Sequence, residues 1–230
     1  MKLNLHERGE GDRLALLIHG GMSDHRTWHA VTDELVARGY RVIAPDLRGH
    51  GLSPRGEYAP GLLGDDLAEN LPAGADVAIG HSLGGLSLAL AVERLRPQRA
   101  IYSDPGFKLG NVPAGATEYM RQMVLTATAA SVRQMNPRWS EADVEAELAG
   151  FALFDVDFLA TVRASADADH TPPPVVPSLV QLADPSFTVT PEDAERLRAA
   201  GFEVRTVKGA GHCIHRDDLP AFLASLEGWI

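Results

Sequence analysis

Residues 76–94 read DVAIGHSLGGLSLALAVER, and no other stretch narrows the possible folds as much. DVAI is apolar but too short for a helix, so it reads as a buried strand. Residues 83–94 are rich in Leu and Ala and read as a helix. Between them, Gly80-His81-Ser82-Leu83-Gly84 leaves no room for a loop. The chain must pass from strand to helix in one sharp turn with Ser82 at its tip, and glycines stand where side chains would crowd that turn.

The same grammar recurs along the chain. Residues 14–18 (LALLI) form a strand ending at His19-Gly20-Gly21. Residues 27–38 have helical spacing, with Trp28, Val31, Leu35 and Val36 on one face and Gly39 closing the segment. RVIA at 41–44 runs into Pro45-Asp46, and AIY at 100–102 stops at Ser103-Asp104-Pro105. Strands alternating with helices predict an α/β fold, a mostly parallel sheet covered on both faces. Sites on such sheets lie at the carboxyl ends of the strands, so His19, Gly21, Asp46, Ser82 and Asp104 are expected along one edge.

The alternation breaks after residue 105. Residues 117–134, 141–148 and 155–164 read as helices, and His170-Thr-Pro-Pro-Pro-Val-Val-Pro177 as a stiff extended linker. The pattern then resumes: a strand at 178–183, a helix at 191–200 opened by Pro191, a strand at 202–207 and a helix at 219–229. The expected organisation is a core of residues 1–105 and 173–230 interrupted by a helical insertion, 106–172.

The formal charge of −10 argues against nucleic acid or anionic membranes as partners. The single cysteine, Cys213, forbids an intramolecular disulfide. The stretch MKLNLHERGEGDR has no apolar core of signal-peptide length, and no apolar run approaches the roughly 20 residues of a membrane span. A cytoplasmic location is expected.

A serine hydroxyl becomes a nucleophile only beside a base, usually a histidine held by a third group. His212, in Gly209-Ala210-Gly211-His212, follows the last predicted strand and reaches the same sheet edge. Gly21, or the following Met22, can supply one backbone N–H to a developing oxyanion, and Leu83 at the helix start the other. His19 and His50 read as residues tying loops together. The run His212-Cys213-Ile214-His215 lacks the helical i, i+4 histidine spacing usual for zinc, so no metal is expected. Cys213 reads as a packing residue.

HGG at 19–21, DLRGHGLS at 46–53, GHSLGG at 80–85 and GAGH at 209–212 together resemble the motifs of the α/β-hydrolase fold superfamily, in the family's order. The resemblance implies an α/β-hydrolase fold with Ser82 as nucleophile, His212 as base, Gly21 and Leu83 as oxyanion donors, and residues 106–172 as a cap over the pocket. It implies no cofactor. In the family the third residue usually follows the strand after the cap, which favours Asp184; Asp104, at the end of the preceding strand, competes. Met120, Met123, Trp139 and Phe154 are expected to line an apolar pocket. A small to medium hydrophobic ester or lactone is the expected substrate. Cleavage of another acyl or a carbon–carbon bond, or a non-catalytic receptor on the same fold, stand as alternatives.

Overall fold

The computed structural model describes residues 1–108, 115–164 and 168–230. Its centre is one sheet. In chain order the strands are β1 (Leu5–Arg8), β2 (Arg13–Ile18), β3 (Tyr40–Pro45), β4 (Val77–His81), β5 (Ala100–Ser103), β6 (Ser178–Leu182) and β7 (Glu203–Thr206). They lie side by side in the order β1-β3-β2-β4-β5-β6-β7. Only β1 is antiparallel to its neighbour; every other pairing is parallel.

The central strands are apolar throughout because both faces are covered. Side chains alternate between the faces. Ala15, Leu17, Val77, Ile79, Ile101 and Leu179 pack on one side with Val31 and Leu35 of α1 (His29–Ala37) and Phe222 of α9 (Leu219–Ala224). Leu16, Ile18, Ala78, Tyr102 and Val180 pack on the other. Their partners there are Leu63 and Leu67 of α2 (Pro60–Asn70), Leu86 and Val92 of α3 (Leu83–Leu95) and Leu197 of α8 (Pro191–Ala199). Each such leucine is fully or almost fully buried, a contribution of roughly 1.5–3 kcal/mol apiece.

The register decides where the site can be. Ile18 stands opposite Gly80, His81 opposite Ser103, and Ser103 opposite Gln181. The strands therefore end nearly level, and the residues after them share one edge.

Between β5 and β6 the chain forms α4 (Ala116–Thr126), α5 (Ala129–Met135), α6 (Glu141–Leu153) and α7 (Leu159–Ala164). It leaves and re-enters the sheet region at one point. Lys108 bridges to Asp169, and the His170 N–H donates to the Phe107 carbonyl at 2.8 Å. Residues 109–114 and 165–167 of the expected 106–172 insertion lie outside the described residues.

Several sequence expectations need correction. The helix expected over 117–134 is two helices. Thr128 caps the second, accepting from the Ser131 N–H at 3.2 Å while the Ser131 hydroxyl accepts from the Thr128 N–H. β1 was missed because three of the four residues of LHER are polar; it is held by backbone pairing to β3 at the sheet edge. α2 was missed because PGLLGDDLAEN carries two glycines and three acidic residues. The last helix ends at Ala224 rather than running to 229.

Candidate active site

Ser82 sits between β4 and α3 with φ 51° and ψ −113°, a strained conformation for a residue with a side chain. Hydrogen bonds over-determine it. The Ser82 N–H donates to the Ser103 carbonyl at 3.0 Å, and the Ser82 carbonyl accepts from Leu86 at 3.1 Å and Gly106 at 3.0 Å. The flanking glycines explain how the backbone closes so tightly. A Cβ on Gly80 would lie 2.4 Å from the Gly84 carbonyl oxygen, and one on Gly84 2.2 Å from that of Ile18. The elbow is thus pressed against the end of β2, where the His19-Gly20-Gly21 turn begins.

His212 follows β7 on a loop that folds back over the sheet edge. Its Nδ1 lies 2.6 Å from Oδ2 of Asp104, which is fully buried. An ionised carboxylate only accepts, so Nδ1 carries a proton, and in the neutral ring the lone pair is on Nε2. The other carboxylate oxygen accepts from the Ala183 N–H at 3.1 Å. Burial on its own would push the Asp104 carboxyl up. The hydrogen bond and charge of His212, with donors from Ser186 and Ala183, bring it below the ordinary carboxylate range instead.

The preferred third residue, Asp184, does not meet His212 in this structure. Its side chain is exposed and accepts from the Gly209 N–H at 3.2 Å, while its own N–H donates to the Ala210 carbonyl at 2.8 Å. It holds the loop that leads to His212. Asp104, which follows β5, is buried with its carboxylate on His212 and the Ala183 N–H, whereas the Asp184 carboxylate is exposed and turned to the Gly209 N–H.

His81, which the sequence reading passed over, ties the two halves together. Its Nε2 lies 2.9 Å from the His212 carbonyl oxygen, which can only accept, so Nε2 is the donor. The two rings are 4.7 Å apart. Burial, with the nearby His212, pushes His81 down to about 3, so the ring is neutral.

His19 does the same for the glycine turn. Its Nδ1 is 2.7 Å from the Gly20 carbonyl, and its Nε2 accepts from the Leu47 N–H at 2.9 Å. His50 Nδ1 likewise meets the Arg48 carbonyl at 2.9 Å. Gly21, Met22 and Leu83 line the same cavity as Ser82 and His212.

That cavity measures about 330 Å³. Met120, Met123, Trp139 and Phe154, all expected from the sequence, line it. So do Phe151 and Phe158 of the same segment, and Phe187, Asn136 and Glu147, which were not singled out. The Phe187 ring lies 4.5 Å from the His212 ring, tilted by 48°. Behind the wall, the Arg216 guanidinium lies 3.4 Å over the Trp139 ring and donates to Glu147 at 2.7 Å, and Trp139 Nε1 donates to Asp217 at 2.9 Å. Burial pushes the Cys213 thiol up to about 12, so it stays protonated and unreactive as a thiolate.

His215 is buried with its ring stacked 4.2 Å from Trp28. The cluster Asp24, His25 and Asp46 has the proximity of a metal site, but its atoms are already engaged. Asp24 binds Arg26 at 2.9 Å, and Asp46 binds His25 at 2.8 Å, Asn4 at 2.8 Å and the Leu52 N–H at 2.9 Å.

A model of the alpha/beta hydrolase family matches residues 15–226. The chain belongs to the alpha/beta hydrolase family. It is 38% identical over 93 residues to a probable esterase, PIR7A, of Oryza sativa subsp. indica. That match covers 37% of this chain and 35% of the rice protein. It is 40% identical over 81 residues to a pyrethroid hydrolase of Sphingobium wenxiniae, covering 32% of this chain and 28% of that one. The matched stretches thus span about a third of these relatives. Among solved structures, N-formylmaleamic acid deformylase from Pseudomonas putida superposes with a TM-score of 0.79 at 22% identity, over 98% of this chain and 96% of that one. At that identity the likeness is one of fold.

Within this hydrolase fold, the residues that the motifs singled out come together with one exchange, Asp104 for Asp184 at His212. Glu147 carried no motif signal, because it reads as an ordinary surface position of an acidic helix. Among the described residues, no helix is long and apolar enough to cross a membrane.

Proposed function

We propose that this protein is a serine hydrolase that cleaves a carboxylic ester or lactone of a small to medium hydrophobic substrate, with Ser82, His212 and Asp104 as its triad. The single observation that carries the proposal is the His212–Asp104 pair on the cavity shared with the strained Ser82. A buried carboxylate that fixes one imidazole tautomer leaves the other nitrogen as a base, which is the arrangement a serine nucleophile needs.

In this reading His212 Nε2 takes the proton from Ser82 Oγ as the oxygen attacks the substrate carbonyl. The backbone N–H groups of Leu83 and of Gly21 or Met22 hold the oxyanion. The tetrahedral adduct collapses, and His212 passes its proton to the departing alkoxide. His212 then takes a proton from water, which attacks the acyl-enzyme, and returns it to Ser82 as the acid leaves. In a lactone the alcohol stays on the acyl chain and leaves with it. The cycle closes on these residues and water, without a cofactor.

The helices between β5 and β6, with residues 106–172 as their bounds, act as the cap. They bring the methionines and phenylalanines that make the cavity apolar. The similarity to a probable esterase and to a pyrethroid hydrolase supports ester chemistry.

The test is a fluorophosphonate probe with intact-mass readout. One adduct on the native protein and none on Ser82→Ala supports the reading, and a panel of neutral esters and lactones then ranks substrates. A folded protein that takes up no probe and turns over none of the panel refutes it.

A further inference from the structure

The cavity wall is apolar except at a few places, and those places are unequal. Glu147, on α6, is half-buried there and receives Arg216 Nη1 on Oε2 at 2.7 Å. Asn136, after α5, donates one of its two amide N–H groups to the Val132 carbonyl at 3.0 Å. Among the described residues, nothing donates to Glu147 Oε1 or to Asn136 Oδ1. The indole and ammonium donors on the same wall are committed elsewhere. Trp139 Nε1 binds Asp217, and the Lys108 ammonium binds Asp193 at 2.5 Å and Asp169 at 3.4 Å. Arg216 is buried behind the wall against Asp143, Glu147 and Trp139.

Besides Ser82 and His212, a ligand filling this cavity therefore meets the Glu147 carboxylate and the Asn136 amide, and no free cation among the described residues. An apolar chain leaves these acceptors desolvated, and a carboxylate meets a like charge. A hydroxyl, amide N–H or ammonium satisfies them. We infer that the substrate carries a hydrogen-bond donor in addition to its scissile carbonyl, and that the Glu147 carboxylate, with Asn136 Oδ1 as a second acceptor, selects it against substrates bearing a second carboxylate. The inference rests on the proposed role of the cavity as the substrate site, but it is about binding, and binding can be measured without turnover.

The probes are n-hexyl acetate and its ω-hydroxy, ω-ammonio and ω-carboxylate analogues, whose flexible chains can reach the wall. Dissociation constants are measured on the Ser82→Ala protein by intrinsic tryptophan fluorescence, Trp139 being part of the wall. The two donor-bearing probes are expected to bind more tightly than the parent, the better of them by about tenfold, and the carboxylate most weakly. A tighter ω-hydroxy probe identifies a neutral donor as the natural group; a tighter ω-ammonio probe identifies a cation. Adding Glu147→Gln, which keeps an acceptor for Arg216, should erase most of the gap between the ω-ammonio and ω-carboxylate probes.

Equal affinities, or tightest binding of the carboxylate, overturn the inference from the Ser82→Ala protein alone, whether or not the Glu147 variant folds. A gap that survives Glu147→Gln undiminished also overturns it. The expected ranking in a protein that hydrolyses no ester would instead refute the catalytic reading and leave this one standing.

Discussion

Nδ1 of His212 lies 2.6 Å from Oδ2 of Asp104, and the two residues stand 108 positions apart in the chain. Asp104 itself has φ 41°, as Ser82 has 51° and Met22 62°. Three of the four non-glycine residues with positive φ among the described ones thus belong to this one edge of the sheet. Strain of roughly 1–3 kcal/mol apiece is held here by the surrounding hydrogen bonds.

The first prediction separates the two aspartates. Asp104→Asn should lower kcat by about three to four orders of magnitude, because the amide no longer fixes the imidazole tautomer. Asp184→Asn should stay within about tenfold of the native rate, since it touches only the loop before His212. Steady-state kinetics on one neutral ester decide, and a reversed order would return the role to Asp184.

A second concerns His81. Its Nε2–H holds the His212 carbonyl, so His81→Phe keeps a ring but frees the base. We expect kcat to fall by about ten- to a hundredfold with KM little changed, as small misplacements of a catalytic group do. His81→Gln, which can donate again, should recover part of the loss. Equal loss in both variants would reduce His81 to a packing residue.

The elbow makes a stability prediction. Gly84→Ala places a methyl group 2.2 Å from the Ile18 carbonyl oxygen. The cost should be about 3 kcal/mol or more by urea denaturation. Gly21→Ala, whose Cβ finds its nearest neighbour at 3.8 Å, is the control and should change stability by less than about 1 kcal/mol. Similar midpoints for the two would contradict the packing described for the elbow.

Acid should destabilise the fold well above the carboxylate range. Burial pushes His50 and His81 down to about 3, and lowers His19 and His215 as well. In the unfolded chain these rings bind a proton near pH 6.5, while in the folded protein they do not. Their contribution is therefore fully present above about pH 6.5 and is lost as pH falls toward the folded values, at up to about 1.4 kcal/mol per pH unit for each ring. Urea midpoints should drop between pH 7 and pH 5, with proton uptake on unfolding. A flat profile over that window would mean that these histidines are not held neutral.

Much of this was legible from local patterns. Short apolar runs ending in glycine or aspartate mark strands of a buried parallel sheet, because only such strands are apolar on both faces. The spacing of Gly80, Ser82 and Gly84 marks the elbow, because a side chain at either flanking glycine would meet backbone. What was missed had a weak local signal. β1 is held by backbone bonds rather than by apolar residues, and α2 by its packing against α3 in spite of its glycines. The break at 127–128 rests on a capping box that a continuous helical pattern masks.

The sequence by itself determined six of the seven strands and the residues that face their carboxyl edge, since periodicity and turn chemistry act between near neighbours. Tertiary structure alone decided which aspartate meets His212 and which polar groups face the cavity. Those choices depend on how a loop and a set of helices fold back over the sheet. Asp104 and Asp184 are both strand-end carboxylates in the sequence, and only the fold buries the first against His212 while it leaves the second exposed beside Gly209.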